Sequence, residues 1–268
     1  MYDKYQEFIE DNLKVLDKVS QIYIPFKLNS IQKKFINEAS GRDIILKARQ
    51  QGFSSLVLAL FTKDFILKEN SVSVIVADIA ENARDLLARV KNFIESYEEH
   101  IGYKIPLKYN SMYELENAYN KSRYIIGTAE NTKFGRSKTI TNLHLSEAAY
   151  YPHLQQTLAG AGTALIPGGK FIIETTANGY NELKTLWDAS IVLETDFKAL
   201  FYPASAFYEK SFLGREKARL GNLYQQEYPD SAEEAFLTSG DMYFNRQSLQ
   251  VHLKFIEQYE QRQLQNIS

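Results

Sequence analysis

The chain contains no cysteine, which excludes disulfides and thiolate metal sites. It has no apolar run long enough to span a membrane, so no membrane partner is expected. Its first residues, MYDKYQEFIEDNLKVLDKVSQ, are charged and amphipathic and lack a signal-peptide core. The cytoplasm follows as the default location. An excess of basic charge is also missing: 31 Lys and Arg stand against 33 Asp and Glu, for a net charge of −2. Contact with nucleic acid therefore has to use a local patch or arise on assembly. There is no internal repeat and no low-complexity tract.

What is present is the composition of a soluble globular protein, 44% apolar and 24% charged. Its 268 residues can bury one large α/β core, or one core and a small appendage. Apolar periodicity predicts a helix over 3–19, with Phe8, Ile9, Leu13, Leu16 and Val19 roughly on one face. Pro25 breaks that helix, and Ser30 is placed to cap the next one, IQKKFINEA. Strand-like runs follow at 43–47, 72–77, 123–129, 141–146, 170–176 and 197–202. Helix-like runs at 54–68, 81–100, 153–164 and 180–190 lie between several of them. Near-continuous apolar strands alternating with helices predict a mostly parallel sheet covered on both faces. The tyrosine-rich segment 101–122 reads as a hairpin or loop excursion. Two amphipathic stretches, 205–225 and 245–265, read as a helical C-terminal extension.

The stretch ILKARQQGFSSLVLAL (44–59) runs strand, glycine loop, apolar helix. That is the order of a P-loop, where backbone N–H groups and a helix N-terminus face phosphates. Gly52 allows close backbone approach, and Ser54 stands where a Mg²⁺-binding hydroxyl belongs. The usual phosphate-binding lysine follows the last glycine, and here that residue is Phe53. Lys47 and Arg49, upstream, are the available positive charges. Taken alone, the stretch is better explained as a helix capped by Ser54 after a buried strand.

Four companions change that balance. In TNLHLSEAAYYP (141–152) an apolar strand ends at Ser146-Glu147, a Walker B arrangement. Glu147 takes the water-polarising position. Ser146 takes the aspartate slot and can reach Mg²⁺ only through a bound water. A plain helix-start glutamate fits equally well. In IIETTANGYN (172–181) Thr175, Thr176 and Asn178 follow a strand and are placed to sense a γ-phosphate; an Asn-Gly turn is the bland alternative. Arg136, in a polar loop, suits an arginine finger acting on a neighbouring subunit, or is simply exposed. Gln32 suits adenine, since its amide both donates and accepts, or is a surface helix residue. All four fall in the order one ATP site requires, and in open α/β sheets such strand ends converge on one crevice. His144 and His153 flank Glu147 at a spacing that fits no standard metal motif.

Together these motifs resemble the N-terminal ATPase domain of the large terminase subunit, the DNA-packaging motor of tailed bacteriophages. KARQQGFSS is similar to the deviant P-loop of that family, LHLSEAA to its Walker B segment, and Thr176-Ala177-Asn178 to its coupling triplet. EYPDSAEEAFLTSG resembles the segment that follows the family's ATPase core, and the likeness covers roughly residues 20–245. It implies a P-loop NTPase of the ASCE/RecA-like type: a lead-in with the adenine segment (1–40), an ATPase core (41–203) and a helical subdomain (204–268). It implies ATP and Mg²⁺ as cofactors. Gln32, Lys47, Arg49, Gln50, Gln51, Gly52, Phe53, Ser54 and Ser55 would bind ATP. Glu147, Arg49 and Arg136 would be catalytic, and Thr176, Ala177 and Asn178 would couple hydrolysis to movement. Metal would meet Ser54, Glu147 and, through water, Ser146.

The implied partners are double-stranded DNA, portal protein and the small terminase subunit. The chain would form a homo-oligomeric ring on the procapsid, be a monomer in isolation, and work in the cytoplasm of the infected host. The family's nuclease domain is not expected here, because only Glu257 and Glu260 supply acids after Asp241. A helicase-like DNA-dependent ATPase and a non-hydrolysing nucleotide-binding assembly module are the rival readings. Replacing Lys47 by alanine is expected to abolish turnover, and replacing Phe53 to spare it.

Overall fold

Strands apolar on both faces need cover on both sides, and the computed structural model shows how this chain supplies it. It describes residues 3–131, 139–238 and 256. Arg136 and, Ile256 apart, the stretch 245–265 lie outside the described residues. The chain begins with α1 (Asp3–Asn12), a small hairpin of β1 (Lys14–Leu16) and β2 (Tyr23–Pro25), and α2 (Ser30–Glu38). Then come β3 (Arg42–Lys47), α3 (Phe53–Leu67), β4 (Val72–Ala77) and α4 (Ala80–Ile101). A second hairpin, β5 (Leu107–Asn110) and β6 (Glu114–Asn117), precedes β7 (Arg123–Thr128) and β8 (Ile140–Ser146). Next are α5 (Leu154–Ala161), β9 (Leu165–Thr175), α6 (Glu182–Ile191) and β10 (Lys198–Tyr202). Three helices follow: α7 (Lys210–Leu220), α8 (Tyr224–Glu227) and α9 (Ala232–Thr238).

The main sheet has the order β10-β3-β9-β8-β4-β7-β6-β5. The first six strands are parallel, and β6 and β5 extend the edge antiparallel. Alternate residues serve opposite faces. Ile45, Ile75 and Ile172 pack with α1 to α4, whereas Ile44, Val74, Leu143 and Ile173 pack with α5, α6 and α9. α3 is apolar almost all round because it lies beneath other helices as well as over the sheet. β9 sits between β3 and β8, with Ile45 paired to Glu174 and Glu174 paired to Ser146. The carboxyl ends of these three strands therefore share one rim. Among the described residues no helix is long and apolar enough to cross a membrane.

Two expectations need correction. The helix predicted over 3–19 ends at Asn12, and Lys14–Leu16 pairs with Tyr23–Pro25 instead. Asp17 fixes the intervening turn by accepting from the backbone N–H groups of Val19 and Ser20, and Leu16 and Val19 are exposed. The cap of α2 is Asn29, not Ser30. Asn29 and Gln32 form a reciprocal capping box. Phe53 opens α3. It is fully buried, 4.6 Å between ring centroids from Tyr202 and 6.0 Å, edge-on, from Phe35.

Replacing Phe53 by alanine should therefore cost ~3–5 kcal/mol of stability, read as a lower urea midpoint. Phe53→Leu, which keeps most of the buried volume, should lose much less; equal midpoints for Phe53→Ala and wild type would contradict this packing.

Candidate active site

The loop between β3 and α3 is tied down from outside. Arg49 N–H donates to the Glu227 carbonyl at 3.1 Å, and the Tyr208 hydroxyl donates to the Arg49 carbonyl at 2.7 Å. The Gln51 amide donates to the Pro203 carbonyl at 3.0 Å. From the other side the Gln32 amide donates to the Gly52 carbonyl at 2.8 Å, and Asn29 donates to that of Gln51 at 3.3 Å. Beyond these held carbonyls come the N–H groups at the start of α3, which receive no side-chain cap. The first intrahelical bond comes only from Leu56 to Gly52, so they have no partner within the helix. Gln50 (φ 59°) and Gly52 (φ 80°) adopt left-handed conformations, the backbone alternation that builds anion-binding concavities.

Beneath the loop lies the charged centre. Lys47 Nζ is 3.0 Å from Glu147 Oε1 and 3.1 Å from Glu174 Oε2. Glu174 Oε1 accepts from the hydroxyls of Ser54 (2.8 Å) and Ser146 (2.7 Å). Burial alone would push the Lys47 ammonium down, but Glu174 and Glu147 outweigh it and hold its pKa above that of an ordinary lysine. Burial alone would push Glu174 up, but Lys47, then the His144 ring and after it the Ser146 hydroxyl, hold its carboxyl well below the usual range. Both groups are therefore charged at neutral pH. The ring of His144, also buried, places Nε2 3.5 Å from Glu174 Oε1.

Glu147 has a left-handed backbone (φ 55°), uncommon for a residue with a side chain and a mark of functional sites. Its Oε2 accepts from the Thr176 N–H at 3.2 Å. The turn after it is laced to the end of β9. Thr175 Oγ1 accepts from Ala149 N–H, and the Asn178 and Asn181 amides donate to the Ala149 carbonyl. Ala177 is buried there.

A cavity of about 550 Å³ opens over the loop, walled in part by the β1–β2 hairpin and α4. Lys14, Lys18, Lys47, Arg49 and Arg89 line it, against one carboxylate, Glu147. That balance suits a polyanion. The hydroxyl of Ser54 and the two carboxylates are oxygen donors of the kind Mg²⁺ takes when phosphates and water complete its shell. Among the described residues no cluster of three or more acids or histidines could cage a metal unaided.

The structure thus brings together Lys47, Gln50, Gln51, Gly52, Ser54, Ser55 and Glu147 around the cavity or its floor. Phe53 lines it at the helix start while its ring points into the core. Arg49 reaches the cavity but also pairs with Glu227 at 2.9 Å. Ser146 points to Glu174 rather than into the cavity. Gln32 lines the cavity, yet its amide is engaged by the capping box and by Gly52. Three contributors, Lys14, Lys18 and Glu174, escape the sequence reading. The hairpin residues Lys14 and Lys18 were taken as helix. Glu174 was read only as part of a strand, though a carboxylate inside an apolar run was the available signal.

Gly52→Ala should destabilise the loop by ~1–3 kcal/mol, the cost of a left-handed side chain. The added Cβ would also lie 2.8 Å from Gln32 Nε2. An unchanged unfolding midpoint would show that the loop is not held in this way.

Comparison with protein-family profiles gives no match, and comparison with curated sequences gives none either. Solved structures do match. The large terminase ATPase domain of Thermus phage P74-26 superposes with a TM-score of 0.60 at 15% identity, covering 77% of this chain and 94% of that one. The HK97 bacteriophage large terminase gives 0.66 at 16% identity, covering 85% of this chain and 54% of that one. A large terminase from a thermophilic bacteriophage, solved with ATP-gamma-S, gives 0.56 at 14% identity, covering 74% and 51%. The chain spans about half the length of these last two proteins. At such identities the likeness is one of fold, and the fold of this chain is that of a large-terminase ATPase domain.

Proposed function

We propose that the chain is an ATP-hydrolysing motor domain of a terminase large subunit, coupling ATP turnover to movement of double-stranded DNA into a procapsid. The observation that carries the ATPase reading is the convergence of Lys47, Ser54, Glu147 and Glu174 beneath a helix N-terminus. Lys47 and the loop N–H groups bind the β- and γ-phosphates. Arg49, exposed on its own side of the pair with the more buried Glu227, joins them by exchanging that partner for phosphate. Mg²⁺, when bound, neutralises charge developing on the phosphates. Glu147 orients the attacking water, and Thr176 to Asn178 relay the change at its carboxylate. Gln32, through its remaining N–H and lone pair, contacts adenine. Arg136 acts as the finger of a neighbouring subunit.

The DNA, portal and small-subunit partners, the ring and the host cytoplasm rest on the likeness to terminases. The division into lead-in, core and helical subdomain has the same footing. The rival without hydrolysis, a nucleotide-binding assembly module, differs in phosphate release.

Measuring that release with and without double-stranded DNA tests the reading. Glu147→Gln should lower kcat by ~10²–10⁴-fold, the usual contribution of a positioned acid or base, while nucleotide still binds. Lys47→Ala should lose binding and turnover together. Wild-type protein that binds ATP yet releases no phosphate, at any concentration or with DNA, would favour the assembly module. Wild-type activity per subunit that rises with concentration, and falls in Arg136→Ala, is the expected sign of a finger acting in trans.

A further inference from the structure

The aspartate slot of the Walker B strand holds Ser146, which brings no charge. We propose that the missing metal-side carboxylate is supplied from the neighbouring strand by Glu174, which rests on the ATPase reading above. Three observations converge on it. Ser54, the hydroxyl placed for the cation, already donates to Glu174 Oε1 at 2.8 Å. Ser146, the residue in the aspartate slot, donates to the same oxygen at 2.7 Å. The register of β8 and β9 sets Ser146 directly opposite Glu174, so the carboxylate lies one strand away from where a Walker B aspartate begins.

Charge balance supplies the rest. Glu174 is fully buried, and Lys47 is its lysine counter-ion, at 3.1 Å. Its Oε2 has no hydrogen bond beyond that pairing. When Lys47 turns to the phosphates, the carboxylate is left with two neutral hydroxyls and the His144 ring. Taking its lysine from a buried carboxylate is unfavourable, and the His144 ring at 3.5 Å is the one other basic group beside it among the described residues. A divalent cation arriving with the nucleotide, beside Ser54, restores the balance. Lys47 and the cation would thus exchange places as partners of Glu174, whose carboxylate shares the Lys47 ammonium with that of Glu147. Ser146 positions the Glu174 carboxylate.

The test is a Mn²⁺ titration, followed by electron paramagnetic resonance, of the full chain saturated with the non-hydrolysable analogue AMP-PNP. Glu174→Gln should weaken Mn²⁺ binding by about 10–100-fold, the range for groups that support a metal site. AMP-PNP binding in EDTA should survive. Adding Ser146→Asp to Glu174→Gln should recover most of the loss, because it returns the charge to the other strand. Glu174→Asp keeps the charge and the fold but shortens the reach, and should weaken Mn²⁺ several-fold. If Glu174 only counterbalances Lys47, Mn²⁺ affinity will stay unchanged in Glu174→Asp and Ser146→Asp will rescue nothing; either result overturns the proposal. Should Glu174→Gln fail to fold, the Glu174→Asp titration decides. Wild-type protein that binds no AMP-PNP would instead overturn the nucleotide-site reading itself.

Discussion

One ammonium group, Lys47 Nζ, lies between a carboxylate on β9 and one in the turn after β8, and much of the site follows from that position. A lysine after Gly52 would be the ordinary solution. Here that position opens α3, which is apolar almost all round and buried. Its first side chain enters the core against Phe35 and Tyr202. A lysine there would bury its charge among aromatic rings without a partner, so this helix cannot open with a lysine. The cation sits at the end of β3 instead. Because β9 and then β8 follow in the sheet, Glu174 and Glu147 are both within reach. The same strand order that closes the core makes the ion cluster possible.

The P-loop depends equally on segments far away in sequence. β10 pairs with β3 up to Lys47, and the chain after it curls back over the loop. Ala48 packs with Ala204, Leu213 and Tyr228. Tyr208, Pro203 and Glu227 hold the loop backbone, while Gln32 and Asn29 hold it from α2. The region after residue 203 is therefore a brace for the loop rather than only an extension. Any change that moved α8 would pull on Arg49 through both its backbone and its side chain.

The sheet was legible because its signals are local. Apolar runs bounded by polar turns marked the six parallel strands of the main sheet, and helix-like runs between them marked α3, α4 and α6. The first helix failed because its apolar spacing continued past Asn12, while Asp17 offered the backbone a turn that periodicity does not register. Asn29 and Gln32 do stand at capping-box spacing, but the same glutamine suited a base-reading role. Glu174 was the hardest to see. Nothing within KFIIETT says which neighbours its carboxylate meets; only the pairing with β3 and β8 puts Lys47 and Ser146 beside it.

The bonds around Glu147 give the site a physical route outward. Its left-handed backbone costs of order 1–3 kcal/mol for a residue with a side chain, so it is maintained by its surroundings. Those surroundings are the end of β9: Glu147 N–H donates to the Glu174 carbonyl at 2.7 Å, and its carboxylate accepts from Thr176. Asn181, which caps α6, donates at the same time to the Ala149 carbonyl in the turn after Glu147. Releasing Lys47 from Glu147 therefore alters the load on Thr176, on the 148–150 turn and on the first turn of α6 together. Through Ala149, the turn that begins at the strained Glu147 thus meets the cap of a helix on the far face of the sheet.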